Sequence, residues 1–255
     1  MSLSPVRRVS GPDADPLLYF PPFAEEMNKA RRMAALQARA FAGAGRPVLL
    51  VDLFGTGDSQ GDFAAATWED WLADIDVALD WLVAHGAKRV IFWGVRLGAL
   101  MAADAAIRCA AASRLLLWSP VVRGDVFLAQ FLRLRLAADL IGGSAKQSVE
   151  DMKAALRAGE ALEVAGYELN PALAGAIESR SLHGFAQGNC QVDWFEVSAA
   201  PGAGIKPVVQ RVVDAWRAAG SRVKLREVCG EPFWSTPEVA VVPALVDATL
   251  EALPL

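Results

Sequence analysis

The sequence predicts an α/β protein: a doubly wound, mostly parallel sheet with a helical cap inserted into it. Three observations carry this. Short apolar, β-branched runs alternate with helix-period segments up to residue 118, and that alternation implies parallel strands joined by crossover helices. The rhythm breaks after Ser119-Pro120, where residues 124–185 show mostly helical patterns, and resumes from Val192. Finally, residues 89–102 (RVIFWGVRLGALMA) read as a strand, a tight turn and a helix. That turn has the Gly-x-x-x-Gly spacing which lifts a nucleophile above a sheet.

Taken in order, Leu17–Phe20 is a short apolar strand, ended by Pro21-Pro22. A helix is expected over 26–44, closed by Gly43 and Gly45, and a buried strand over 48–52 (VLLVD). A glycine-punctuated loop, 54–66, leads to Thr67, which with Asp70 opens an amphipathic helix bearing Trp68, Trp71, Leu72, Ile75, Leu79 and Leu82. Strand 89–93, helix 97–111 and strand 115–118 complete the first half. In the insertion, helices are expected over 126–141, 149–158 and 171–179. Strand 192–197, helix 207–219, strand 223–228 and a helix over 238–252 follow. The expected organisation is a core made of 1–123 and 186–255, with the cap over 124–185.

Composition narrows the function classes. The chain of 255 residues is 54% hydrophobic, enough for a sizeable core, with a net charge of −4. A pI near 5.3 gives no electrostatic reason to expect nucleic acid or an anionic membrane as partner. Residues 1–15 lack the apolar core of a secretory signal, and the longest apolar stretch, 109–122, is broken by Arg114. A cytoplasmic protein without a membrane span is therefore expected. Three scattered cysteines (Cys109, Cys190, Cys229) fit neither a disulfide framework nor a Cys-x-x-Cys metal site. With His85 and His183 the only histidines, no imidazole metal cluster is expected. The FGTGDSQG segment (54–61) contains Gly-x-Gly after a strand, but the helix begins only at Thr67, so a local turn is expected rather than a dinucleotide site, and no cofactor is expected.

The segments PPFAEEMNK (21–29), DLFGTGDS (52–59), GVRLG (94–98) and GEPFW (230–234), in this order, resemble the α/β-hydrolase superfamily. They are most similar to hydrolase-like proteins associated with exosortase A systems, type 2. The resemblance spans nearly the whole chain and implies an α/β-hydrolase fold in a bacterial exopolysaccharide and protein-sorting context. It also implies a nucleophile at the elbow, an acid after strand 192–197 and a histidine after strand 223–228. The elbow carries Arg96, residues 198–206 hold no carboxylate, and residues 229–237 hold no histidine. Serine-type hydrolysis is accordingly not expected.

Arg96 has no nucleophilic oxygen or sulfur and stays protonated. At a helix start, where the macrodipole is positive, a cation is disfavoured by up to about 1 kcal/mol and wants an anionic partner. Two partners are open: an internal carboxylate, Glu25 or Glu26, or the carboxylate or phosphate of a ligand helped by the Leu97 amide. Ser119 and Trp234 complete the candidate ligand-binding set. Trp234, in the vacated histidine loop with Glu231 and Phe233, either plugs a pocket or stacks on a ligand. Trp68, Trp71, Trp93 and Trp118 read as core, and Arg133 and Arg135 as a solvated helix face. Three functions stay open: a pseudoenzyme binding a small anionic or acyl ligand or a protein partner; an ester or acyl hydrolase using Glu25, Glu26 or Glu231 on a water; or an assembly subunit with a filled cleft.

Overall fold

In a computed structural model, β1 (Leu17–Phe20) is the seed of the sheet, its four residues all buried. The structure describes residues 14–142, 147–185, 190–200 and 202–254, so the reading of residues 1–13 as lacking a signal lies outside the described residues. Pro21 and Pro22 supply no amide donors and end β1. Helix α1 (Glu25–Gly43) then leads to β2 (Val48–Leu49). This edge strand is shorter than the expected 48–52: Val48 and Leu49 pair with Leu17 and Leu18, and the pairing stops there.

Helix α2 (Trp68–Ala84) is capped by Thr67: the Thr67 hydroxyl and amide both donate to the Asp70 carboxylate, and the Asp70 amide donates back to the Thr67 hydroxyl oxygen. Strand β3 (Val90–Val95) runs two residues further than expected, and α3 (Leu97–Arg108) follows after a single intervening residue. Extended Cys109 ends α3 before 111, which lets β4 (Ala112–Trp118) begin early.

Within 123–181 the structure adds something the sequence reading lacked. Besides α4 (Gly124–Gly142), α5 (Val149–Arg157) and α6 (Pro171–Ser179), there is an antiparallel hairpin, β5 (Leu162–Val164) with β6 (Tyr167–Leu169). Its turn is Ala165-Gly166, both at positive φ (52° and 82°). That is the two-residue geometry matching strand twist, but alanine at the first position hides the usual Asn-Gly signal. The remaining elements are β7 (Gln191–Ser198), α7 (Pro207–Ala218), β8 (Arg222–Cys229) and α8 (Pro243–Ala252). Helix α8 starts five residues later than the expected 238, because Pro243 bars Val242 from helical backbone (φ −119°, ψ 83°) and occupies the first helical position.

Two compact units emerge. Among the described residues the smaller comprises Asp52–Asp76 and Arg123–Ser181, and the larger the remainder. In the smaller unit α4, α5 and α6 pack on one another. The glycine loop is a set of turns: Gly55, Gly57 and Gly61 all have positive φ. Among its bonds, the Gly55 amide donates to Gln60 O, the Ser59 amide to Thr56 O, the Thr56 hydroxyl to Leu53 O and the Asp58 amide to the Asp52 carboxylate. Phe63 meets Tyr167 edge-on at 5.1 Å, and Asn170 donates to Ala64 O. Arg180 lies over Trp68 and pairs with Glu69.

The larger unit holds the sheet, ordered β2-β1-β3-β4-β7-β8 and parallel throughout. One face buries Tyr19, Trp93, Trp118 and Phe195 against α1 and α8. The other includes Trp194, whose indole meets Trp216 of α7 at 5.8 Å. Near the start of β7, Asp193 is 1% exposed and clamped between Arg114 and Arg226. No helix among the described residues is long and apolar enough to cross a membrane.

Candidate functional site

Strand order locates the candidate site. From β1 the chain crosses through α1 to β2 on one side; from β3 it crosses through α3 to β4 on the other. Right-handed crossovers put these helices on opposite faces, so their N-termini splay apart beyond the carboxyl ends of β1 and β3. That crevice is where open α/β sheets receive ligands. Glu26 is the second residue of α1, and Arg96 is the sole residue between β3 and α3.

Backbone strain gathers here. Four non-glycine residues among those described have positive φ, and three of them follow the neighbouring strands β1, β3 and β4: Ala24 (φ 50°), Arg96 (φ 54°) and Ser119 (φ 40°). Such conformations cost on the order of 1–3 kcal/mol each and cluster where function over-determines them. The two glycines make the turn feasible. A Cβ on Gly94 would lie 2.4 Å from Ala99 Cα, and one on Gly98 2.2 Å from the Phe20 carbonyl oxygen. Backbone cannot step aside as a side chain can. Gly98→Ala is therefore expected to destabilise the protein by about 1–3 kcal/mol, measured by denaturant titration.

Arg96 is held on three sides. Its Nε donates to Glu26 Oε1 at 3.2 Å and its Nη1 to Ser119 O at 3.0 Å. The guanidinium lies over the Trp234 ring, 4.9 Å from its centroid, a cation–π arrangement. The side chains of Arg96 and Glu26 keep only 18% and 20% exposure. Burial pushes the Glu26 carboxyl above its ordinary pKa, with the Arg96 charge and hydrogen bond pulling the other way. Glu26 Oε2 is buried without a hydrogen-bond partner. Ser119 is buried too; its amide donates to Phe195 O and its Oγ accepts from the Val197 amide.

Among the candidates, Arg96, Glu26, Ser119 and Trp234 thus come into direct contact. Leu97 is buried as the first residue of α3, where its amide has no partner within the helix. Glu25 does not join them: it is exposed and engages Asn28 and Lys29. Successive helical residues point about 100° apart, so Glu25 and Glu26 cannot share a direction. Glu231 is likewise exposed. Trp234 is buried against Phe233, 5.0 Å between ring centroids, and therefore packs on Arg96 rather than standing open.

The sequence reading missed Glu196. This carboxylate lies inside β7, as it does in the expected strand 192–197, whereas the resemblance points to an acid after that strand. Burial raises its pKa, while the Trp194 Nε1 hydrogen bond at 2.7 Å and the charges of Lys206 and Arg96 lower it. A glutamate within an otherwise apolar strand end was the available signal. His85 lies between α2 and the start of β3, the end of the sheet away from Arg96, with its ring stacked on Trp81 at 4.0 Å. His183 sits in the short turn Leu182–Gly184. Arg133 is exposed, but Arg135 is half-buried and donates to Glu163 O in the hairpin.

A parallel sheet wound in both directions, with a strained strand–turn–helix elbow at its switch point, defines an α/β-hydrolase-fold protein. The family model for serine aminopeptidase, S33, matches residues 26–193. The chain belongs to that family. Solved structures agree on the fold. A ferulic-acid-bound Est1E from Butyrivibrio proteoclasticus superposes with a TM-score of 0.63 at 16% identity, over 95% of this chain and 89% of that one. Mouse alpha/beta hydrolase domain-containing protein 10 gives 0.58 at 16% identity, over 99% and 98%. A monoacylglycerol lipase from Paleococcus ferrophilus gives 0.59 at 15%, again over 99% and 98%. Comparison with curated protein sequences returned no match.

Proposed function

We propose that this chain is a non-hydrolytic member of its family, a cytoplasmic pseudoenzyme that binds a small carboxylate or acyl ligand, or an acidic group of a protein partner, at Arg96. On this reading it serves the exosortase-associated setting of bacterial exopolysaccharide production and protein sorting, with the segment around 124–185 acting as its cap. One observation carries the proposal: the residue at the elbow is an arginine locked by Glu26, Ser119 O and Trp234. A guanidinium cannot attack a carbonyl, but it recognises carboxylates in bidentate fashion.

A second reading, hydrolysis by a carboxylate acting on water, is favoured by Glu26 alone. Its burial raises its pKa towards the range a general base needs. Glu25 and Glu231 are exposed and lie outside the contacts around Arg96.

Fluorophosphonate labelling and short-chain ester turnover test the proposal together. The expected result is no label at Ser59, Ser119 or Ser198 and no ester hydrolysis above the uncatalysed rate. Stoichiometric labelling of any of these serines would reveal a displaced nucleophile and end the proposal. Turnover that disappears in Glu26→Gln would establish the carboxylate reading in its place.

A further inference from the structure

The Arg96–Glu26 pair is unevenly made. A carboxylate and a guanidinium can form two parallel hydrogen bonds, yet Glu26 offers only Oε1 to only Nε, at 3.2 Å. Its other oxygen, Oε2, is buried with no donor. Arg96, in turn, is engaged through Nε and Nη1, and Nη2 makes no hydrogen bond among the described residues. An incoming carboxylate that spans Nε and Nη2 would exchange one long contact for a bidentate pair. Glu26 would then remain buried without its cation.

We infer that a carboxylate ligand binds Arg96 by displacing Glu26, and that Glu26 takes up one proton from solvent as it does so. The site is thus a proton-coupled anion site, in which the ligand anion and the proton enter together and the buried charge stays constant. This rests on the ligand-binding reading above and specifies how that site is regulated. The chemistry follows from solvation: a buried carboxylate deprived of its counter-charge neutralises rather than staying ionised.

The surrounding charges identify Glu26 as the acceptor. Arg96 is the charged group acting on it. On its own helix, Glu25 is exposed and Lys29 reaches Pro237 O at 2.6 Å. Glu231 is exposed in the loop after β8. Glu196, from β7, feels Lys206 as well as Arg96 and has its own donor in Trp194, so it keeps compensation when Arg96 turns to a ligand.

Calorimetric titration of the full chain with sodium butyrate, at pH 8 in Tris and in HEPES, reads the proton directly. The two buffers differ in ionisation heat, so the difference in apparent enthalpy counts protons. The expected result is uptake of about one proton per butyrate, with affinity falling roughly tenfold for each pH unit above the Glu26 transition. Glu26→Gln, whose amide oxygen still accepts from Arg96, is expected to bind butyrate with no proton uptake and no such pH dependence. Butyrate binding without proton uptake in the wild type would overturn this inference and leave the ligand-binding reading standing. Uptake that survives Glu26→Gln but vanishes in Glu196→Gln would also overturn it. No butyrate binding at any pH from 5.5 to 8 would overturn both.

Discussion

Asp193→Ala is expected to destabilise the protein by about 3–5 kcal/mol, the usual cost of leaving buried charges uncompensated. Asp193 is 1% exposed inside β7, and its two oxygens receive the guanidiniums of Arg114 and Arg226, the latter at 2.9 Å. Strand register explains the clamp. Asp193 pairs with Leu116 on one side and Lys224 on the other, so Arg114 and Arg226 stand two residues away, on the same face of the sheet. Removing the carboxylate strands both cations: Arg114 is tied to Ala252 O of α8, and Arg226 lies over the Phe195 ring. With 19% and 34% of their side chains exposed, water recovers part of the loss, which favours the lower end of the range. In a chain of this size that corresponds to a fall in Tm of roughly 10 °C. Asp193→Asn keeps an acceptor for each arginine and is expected to cost clearly less. Equal losses for the two variants in a thermal melt would show that charge is not what Asp193 contributes.

Arg96→Ala is expected to cost about 2–4 kcal/mol at neutral pH, the range for losing a charged hydrogen bond and breaking a partly buried pair. The same substitution should abolish butyrate binding. The deficit should depend on pH, with a definite sign. Burial holds the Glu26 pKa above its unfolded value, so the folded state binds more protons in the window between the two, and stability falls as pH rises through that window. Arg96 opposes the shift, so its removal pushes Glu26 higher and widens the window. The gap between Arg96→Ala and wild type should therefore grow with rising pH and shrink below the ordinary carboxylate range, where Glu26 is protonated in every state. Denaturant titrations at several pH values give this directly. Arg96→Ser is expected to restore no esterase activity, because the loop after β8 (230–242) contains no histidine to activate the hydroxyl.

The elements that periodicity specifies were legible in advance. The run VIFW, the helix pattern opened by Thr67-Trp68 and the glycine spacing around Arg96 each rest on interactions between residues close in sequence. All three appear where they were read. Even so, tertiary pairing moved the ends of elements: β2 pairs with β1 only through Val48 and Leu49, and β3 ran on to Val95. The hairpin at 162–169 was missed because its turn departs from the usual residue pair, and α8 was begun too early across a proline.

At the candidate site the same division holds. Sequence alone established that an arginine stands at the strand–helix turn and that a cation there needs an anion. It narrowed the internal anion to Glu25 or Glu26, which are adjacent in the chain and equal in chemistry. Tertiary structure decided between them: the helical turn aims Glu26 into the crevice beyond β1 and β3 and leaves Glu25 in solvent. It also laid Trp234 on the guanidinium and brought Glu196 into range from a strand a hundred residues away. The reason is physical. Hydrophobic period and turn chemistry are local and can be read from neighbours in sequence, whereas burial, desolvation and charge coupling depend on distances that exist only once the sheet has assembled.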